Sequence, residues 1–210
     1  MGSEMCIRDS ADIAAPMRRP KAWSLLREPG FTRLLLVNWL LSSSWDVHSF
    51  LVPILGHERG FSASAIGLIL GVFATSVAAI RLAIPLLAHR LRESHVLVSA
   101  MLAAALVFAV YPLARTAWVM GCCAVVLGLA LGAVQPMIMT TLHQITPAAR
   151  HGEAIALRSM AINFSSAVMP LAFGLAGATL GASALFWVMG AAVASGSVAA
   201  RRVGAVRGAG

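Results

Sequence analysis

Six long apolar segments, each joined to the next by a short connection, constrain this chain more than any other feature of its sequence. The segments have 18 to 26 residues each. About 20 helical residues, at roughly 1.5 Å per residue, cross the roughly 30 Å hydrocarbon core of a bilayer. We therefore predict six membrane-spanning helices. They cover approximately residues 31–55, 63–88, 96–113, 117–142, 154–178 and 183–200.

The composition is typical of a polytopic membrane protein and excludes an ordinary soluble domain. Hydrophobic residues make up 59% of the 210 residues and charged residues 11%, against roughly 45–50% and about 25% in soluble domains. The net charge of +8 does not indicate a nucleic-acid partner, because the basic residues lie at the ends of apolar segments rather than along one helix face. The three cysteines match neither a disulfide framework nor a zinc site, so we expect no metal and no cofactor.

The basic residues also predict which side of the membrane each loop faces, because cytoplasmic loops are enriched in Lys and Arg. With a cytoplasmic N-terminal tail, the other cytoplasmic parts are residues 89–95, residues 144–153 and the C-terminal tail. The opposite side carries only Arg59 and Arg115. The ten basic residues on the cytoplasmic side, apart from the first ten positions, are Arg18, Arg19, Lys21, Arg27, Arg90, Arg92, Arg150, Arg201, Arg202 and Arg207. The sequence therefore predicts a multi-pass protein of the inner membrane with both termini in the cytoplasm.

The chain divides into a short N-terminal region, one membrane domain and a tail. Residues 1–10 do not resemble any stretch of the rest of the sequence, and we interpret them as a non-native segment. Residues 11–30 are polar and contain several prolines, which predicts a cytoplasmic linker. The six-helix domain then covers residues 31–203, and residues 204–210 form a cytoplasmic tail.

The loop after the second segment reads Arg81-x-x-x-Pro85-x-x-Ala88-x-Arg90-x-Arg92. This stretch resembles the loop motif of the major facilitator superfamily, whose pattern is closer to G-x-L-x-D-R-x-G-R-[RK]. Arg90 matches the arginine of that pattern and Arg92 a later basic position. His89 stands where the family often has aspartate, so a charge relay through that aspartate does not carry over.

A second stretch resembles the tenth helix, the following loop and the eleventh helix of bacterial family members. It reads Gly128-x-x-x-Gly132-Ala-Val-Gln135-Pro136, followed by Thr146-Pro147-x-x-Arg150-x-Gly152-x-Ala154-x-x-Leu157-Arg158. Family members have about twelve helices in two halves, and each half consists of two inverted three-helix repeats. The resemblance covers residues 24–202 and implies an all-α membrane protein that forms the C-terminal six-helix half. Its expected partners are the lipid bilayer, a missing N-terminal half and a small-molecule substrate.

The resemblance implies transport of a small organic solute by alternating access, coupled to protons, with efflux as one possible direction. The alternative is a six-helix membrane scaffold or partner-binding protein that transports nothing. An intramembrane serine protease needs a Gly-x-Ser-Gly nucleophile, and Gly181-Ala-Ser183-Ala lacks the final glycine. We therefore expect no enzymatic activity.

Four polar residues within the apolar segments are candidates for the solute or proton pathway. Asp46 lies 13 residues after Arg33, about 20 Å from the cytoplasmic end, where a carboxylate must face a wet cavity, be paired or be protonated. His48 lies about 200° around the helix from Asp46, so the two do not share a face. Gln135 and Asn163 are the other two. Each of the four has a structural alternative, as a hydrogen-bonded packing residue that links helices.

Five further residues are predicted to form a cytoplasmic gate, namely Arg81, Pro85, Arg90, Arg92 and Arg158. Arg81 lies near the cytoplasmic edge of its helix, and its alternative role is an interfacial anchor. Arg158 is placed in the first turn of the fifth segment, where the helix dipole disfavours a cation. A neighbouring carboxylate such as Glu153, or a lipid phosphate, is expected to compensate its charge.

Overall fold

The computed structural model describes residues 22–87 and 93–205, and this part of the chain is helical throughout. The suspected non-native residues 1–10, the linker up to residue 21, the loop residues 88–92 with Arg90 and Arg92, and the tail from residue 206 lie outside the described residues. Short 3₁₀ helices cover Ala22–Arg27, Tyr111–Leu113 and Ala148–Arg150. The six long helices are α1 (Pro29–Glu58), α2 (Ala63–Leu87), α3 (Glu93–Val110), α4 (Ala117–Ile145), α5 (His151–Leu180) and α6 (Ala182–Ala205).

Local capping residues explain where several of these helices begin and end. The side chain of Thr116 accepts a hydrogen bond from the backbone N–H of Val119 at the start of α4, which satisfies one of the free donors of the first turn. Gly181 ends α5 with a φ of 80°, a left-handed conformation that glycine adopts at little cost. The single non-helical residue Gly181 therefore separates α5 from α6.

Five of the six long helices in the described ranges are long and apolar enough to cross a membrane: α2 to α6. The prediction of six spans is thus confirmed for five. The helix α1 has 30 residues, which is sufficient length, but its composition is too polar for the same criterion. Four of its polar side chains are buried inside the protein, with Asn38, Ser43, Ser44 and His48 at most 1% exposed. The polar composition of α1 therefore reflects its position in the interior of the bundle.

The helix α1 packs against all five other long helices. Two pairs of contacts correspond when the helices α1–α3 are exchanged with α4–α6. The contact of α2 with α4 corresponds to that of α5 with α1, and the contact of α3 with α4 corresponds to that of α6 with α1. The core between them is formed by large buried side chains. They include Phe31, Leu34, Leu51, Leu97, Met101, Phe108, Tyr111, Met120, Leu127 and Phe186.

Two glycines let α4 approach α2 closely. A Cβ atom added at Gly128 would lie 2.6 Å from the backbone oxygen of Phe73, and one at Gly132 would lie 3.0 Å from the backbone oxygen of Val77. Such close approach of helix backbones is the reason why Gly-x-x-x-Gly spacing occurs at helix contacts in membranes. The same spacing at Gly67 and Gly71 faces open space, so only part of the pattern marks a contact.

A guanidinium group ties together two connections at one end of the bundle. Arg59, directly after α1, donates a 2.6 Å hydrogen bond to the backbone oxygen of Pro112 and contacts the sulfur of Met120 at 3.6 Å. The oxygen of Pro112 belongs to the short helix after α3, and Met120 lies in the first turn of α4. Arg59 therefore links the ends of three long helices.

Substitution of Arg59 by glutamine is expected to destabilise the protein by about 1–2 kcal/mol, because a partly buried hydrogen bond from a charged donor is lost. The midpoint of thermal unfolding in detergent, followed by circular dichroism, measures this change. Arg115→Gln is the matched control, since Arg115 is exposed in the neighbouring connection. Equal midpoints for the two variants would contradict the structural role of Arg59.

Candidate functional site

A cavity of about 130 Å³ lies between α1, α4 and α5. Asp46 of α1, Gln135 of α4 and Ser166 of α5 are among its polar lining residues. Its other lining residues are Leu41, Ser42, Trp45, Leu131, Val134 and Ile162. The structure thus brings two of the four predicted pathway residues, Asp46 and Gln135, to one cavity.

Asp46 is half-buried, and its carboxylate accepts hydrogen bonds from the hydroxyl of Ser166 at 3.3 and 3.4 Å. These bonds are long for an O–H donor to a carboxylate, whose usual distance is about 2.5–2.7 Å. The carboxylate is held loosely by one neutral neighbour and faces the cavity. Such a group can exchange a proton with the cavity without the rupture of a tight ion pair.

Arg158 lies inside the bundle, where it joins α5 to both α1 and α4. Its side chain is 8% exposed. Its Nε donates to the Oδ1 atom of Asn38 at 3.2 Å, and its Nη2 donates to the Oε1 atom of Gln135. Gln135 therefore connects the guanidinium group to the cavity that contains Asp46.

This placement corrects the predicted environment of Arg158. The helix α5 begins at His151, three residues before the predicted segment, so Arg158 lies beyond its first turn and points into the protein. Glu153 does not compensate it. Glu153 instead forms an ion pair with Arg150 at 2.8 Å, and Arg150 also donates to the hydroxyl of Ser24 at 3.0 Å.

Three polar contacts follow one another along the interface of α1 and α5. Asn38 bonds Arg158, Ser43 bonds Ser165 at 2.9 Å, and Asp46 bonds Ser166. The sequence separations are 120, 122 and 120 residues, as expected for two helices that run in the same direction. We call this set of contacts the polar seam. It places a cation and an anion on one interface, about 12 Å apart along each helix.

His48 does not take part in the cavity. Its Nδ1 lies 3.0 Å from the hydroxyl of Tyr111, and its ring packs on Phe73 with a centroid distance of 4.1 Å. The side chain is fully buried between α1, α2 and the end of α3. The structure therefore places His48 on a different side of α1 from Asp46, in a packing position.

Comparison with known proteins decides the family. The model of the family described as Major Facilitator Superfamily matches residues 34–206, which include the cavity and the polar seam. The chain belongs to the Major Facilitator Superfamily. A search of curated proteins finds no significant match. The facilitator family consists of membrane transporters of solutes, which agrees with five apolar helices of spanning length.

The remaining predicted residues of this facilitator chain that the structure describes do not line the cavity. Asn163 is exposed on α5, and Arg81 and Pro85 are exposed on α2. Arg90 and Arg92 lie outside the described residues. Of the gate residues that the structure describes, Arg81 and Pro85 are exposed on α2, whereas Arg158 is buried and contacts α1 and α4.

Sequence reasoning missed Asn38 and Ser166, which complete the site. A signal for Asn38 was present, because Asn38, Ser42 and Asp46 follow one another at intervals of four residues. That spacing places them on one face of a helix. No comparable signal identified Ser166, because its relevance depends on the register of α5 against α1.

Proposed function

We propose that this facilitator chain forms one wall of a pathway for a small organic solute and that Asp46 carries the coupled proton. The observation that supports it best is the placement of Asp46, a half-buried carboxylate at a cavity between three helices. A carboxylate at membrane depth is costly unless it faces a water-filled cavity or has a partner. Within residues 22–87 and 93–205, its hydrogen-bond partner is the neutral hydroxyl of Ser166.

We further propose that α1 also crosses the membrane, which brings the number of spans to six. The helices α1–α3 and α4–α6 would then be two inverted repeats. The paired contacts between the two sets of helices support this arrangement, because exchange of the sets turns α2 with α4 into α5 with α1 and α3 with α4 into α6 with α1. The burial of the polar side chains of α1 removes the main objection to its crossing the membrane. We also propose that both termini lie on the cytoplasmic side of an inner membrane, which the excess of basic residues in the tails and in loops 89–95 and 144–153 supports.

The proposed partner is an N-terminal half with six further helices. The helices α2 and α5 are the least buried of the five apolar helices, and both expose large apolar side chains such as Leu68, Leu82, Phe164 and Leu171. Such faces suit either lipid or a second half. The coding sequence upstream of residue 11 tests this proposal, since six further spans in the same frame are expected there.

We expect solute accumulation that depends on a pH gradient in vesicles that contain the chain together with its N-terminal half. The vesicles are exposed to a mixture of small organic acids, amines and sugars, and their contents are measured by mass spectrometry. A protonophore should remove the accumulation, because it dissipates the driving force. Accumulation that persists with the protonophore contradicts proton coupling. Contents that equal those of protein-free vesicles contradict transport.

A further inference from the structure

Arg158 has no anionic partner among the residues that the structure describes. Its hydrogen-bond partners in residues 22–87 and 93–205 are the amide oxygens of Asn38 and Gln135. A guanidinium group has five N–H donors, so the two bonds leave several donors for another acceptor. A buried cation without a counter-charge is strongly disfavoured.

Asn38 supplies a second free donor at the same place. Its side chain is 1% exposed, and its Nδ2 has no hydrogen-bond partner. Nδ2 lies next to the guanidinium group, because the Oδ1 of the same amide accepts the bond from Arg158. A buried donor that remains unpaired is costly. Both residues therefore present unused donors to one position.

We propose that Arg158 and Asn38 bind the carboxylate group of a small organic anion, which identifies the substrate class of the proposed transport function on which this inference rests. A carboxylate accepts two parallel hydrogen bonds from a guanidinium group, the strongest arrangement available to either group. The Nδ2 of Asn38 donates a third bond to one of the two oxygens. The buried cation and the unpaired donor are then satisfied by the same ligand.

Arg158 and Asn38 do not themselves line the cavity, so the rest of this ligand would reach it past Gln135. Gln135 both lines the cavity and accepts from Arg158. Ser42 and Ile162, also in the lining, lie one helical turn from Asn38 and Arg158. A volume of about 130 Å³ corresponds to roughly four water molecules, which suits a small carboxylic acid.

The test is the thermal unfolding of the purified 210-residue chain in a maltoside detergent, with sodium acetate or acetamide added at constant ionic strength. Acetamide has nearly the shape of acetate and no charge. We expect acetate to raise the unfolding midpoint in a saturable way, because a ligand that binds the folded state stabilises it. Acetamide and chloride should leave the midpoint unchanged. A wild-type midpoint that does not respond to acetate overturns the proposal.

Substitutions at Arg158 and Asn38 test whether the acetate response arises at this site. Arg158→Gln should weaken the apparent affinity for acetate at least about tenfold, since a charge-assisted bond is lost. The matched control Arg115→Gln, at an exposed arginine, should respond like the wild type.

Asn38→Asp supplies a carboxylate beside the guanidinium group, so it should raise the midpoint without ligand and abolish the acetate response. It also keeps the test valid if Arg158→Gln fails to fold. An unchanged acetate response in Asn38→Asp overturns the proposal.

A lipid headgroup could provide the same anionic chemistry, and addition of phosphatidylglycerol to the micelles distinguishes it. If this lipid, and not acetate, stabilises the wild type through Arg158, the ligand is a lipid and the proposal is wrong. The binding measurement is independent of transport. Acetate binding without transport in vesicles contradicts the proposed function alone, whereas transport without acetate binding contradicts the anion site alone.

Discussion

Replacement of Gly128 by alanine is expected to destabilise the protein by about 3 kcal/mol, although it adds a single methyl group. The added carbon would lie 2.6 Å from the backbone oxygen of Phe73 and 2.8 Å from the Cβ of Ser76. Neither atom can move away by a side-chain rotation, so α4 must separate from α2. Overpacking of this kind costs about 1–3 kcal/mol and occasionally more. The decrease in the denaturation midpoint of the chain in detergent measures the loss.

Gly121 offers a control for Gly128 in the same helix. A Cβ atom at Gly121 meets nothing within 4 Å, and alanine is favoured over glycine in a helix by roughly 0.5–1 kcal/mol. Gly121→Ala should therefore leave the stability unchanged or raise it slightly. If Gly128→Ala and Gly121→Ala change the denaturation midpoint equally, α2 does not pack closely on α4 at Gly128.

The helices were largely predictable because their apolar segments are long and are separated by short connections. Each predicted segment lies within a helix of the structure or differs from it by a few residues. The Gly-x-x-x-Gly pattern was less informative, since Gly67 and Gly71 have the same spacing as Gly128 and Gly132 and no neighbour within 4 Å. Spacing along one helix does not say which face meets another helix.

The site was predictable only for residues whose polarity is unusual for their depth. Asp46 and Gln135 are conspicuous in apolar segments, and both line the cavity. The partners of Arg158 depend on the register of three helices, which no single-helix pattern specifies. The predicted start of α5 was three residues late, and that small error placed Arg158 at the membrane surface.

Substitution of Asp46 by asparagine is expected to abolish proton-driven accumulation of solute by the chain combined with its N-terminal half. Asparagine has nearly the same shape and can still accept a hydrogen bond from Ser166, but it cannot take up a proton. Exchange of labelled for unlabelled solute needs no net proton movement, so it should continue. Separate measurements of accumulation and exchange in vesicles distinguish lost coupling from lost binding.

The control for this substitution is Glu58→Gln, which removes a carboxylate from the exposed end of the same helix. Both accumulation and exchange should persist in that variant, because Glu58 does not line the cavity. Accumulation by Asp46→Asn at the wild-type level would exclude Asp46 as the proton carrier. If Asp46→Asn instead loses both activities and also unfolds at a lower temperature, the contact with Ser166 is structural. Retained exchange with lost accumulation supports Asp46 as the proton carrier, since asparagine keeps the shape and the hydrogen-bond acceptor of the side chain but has no ionisable group.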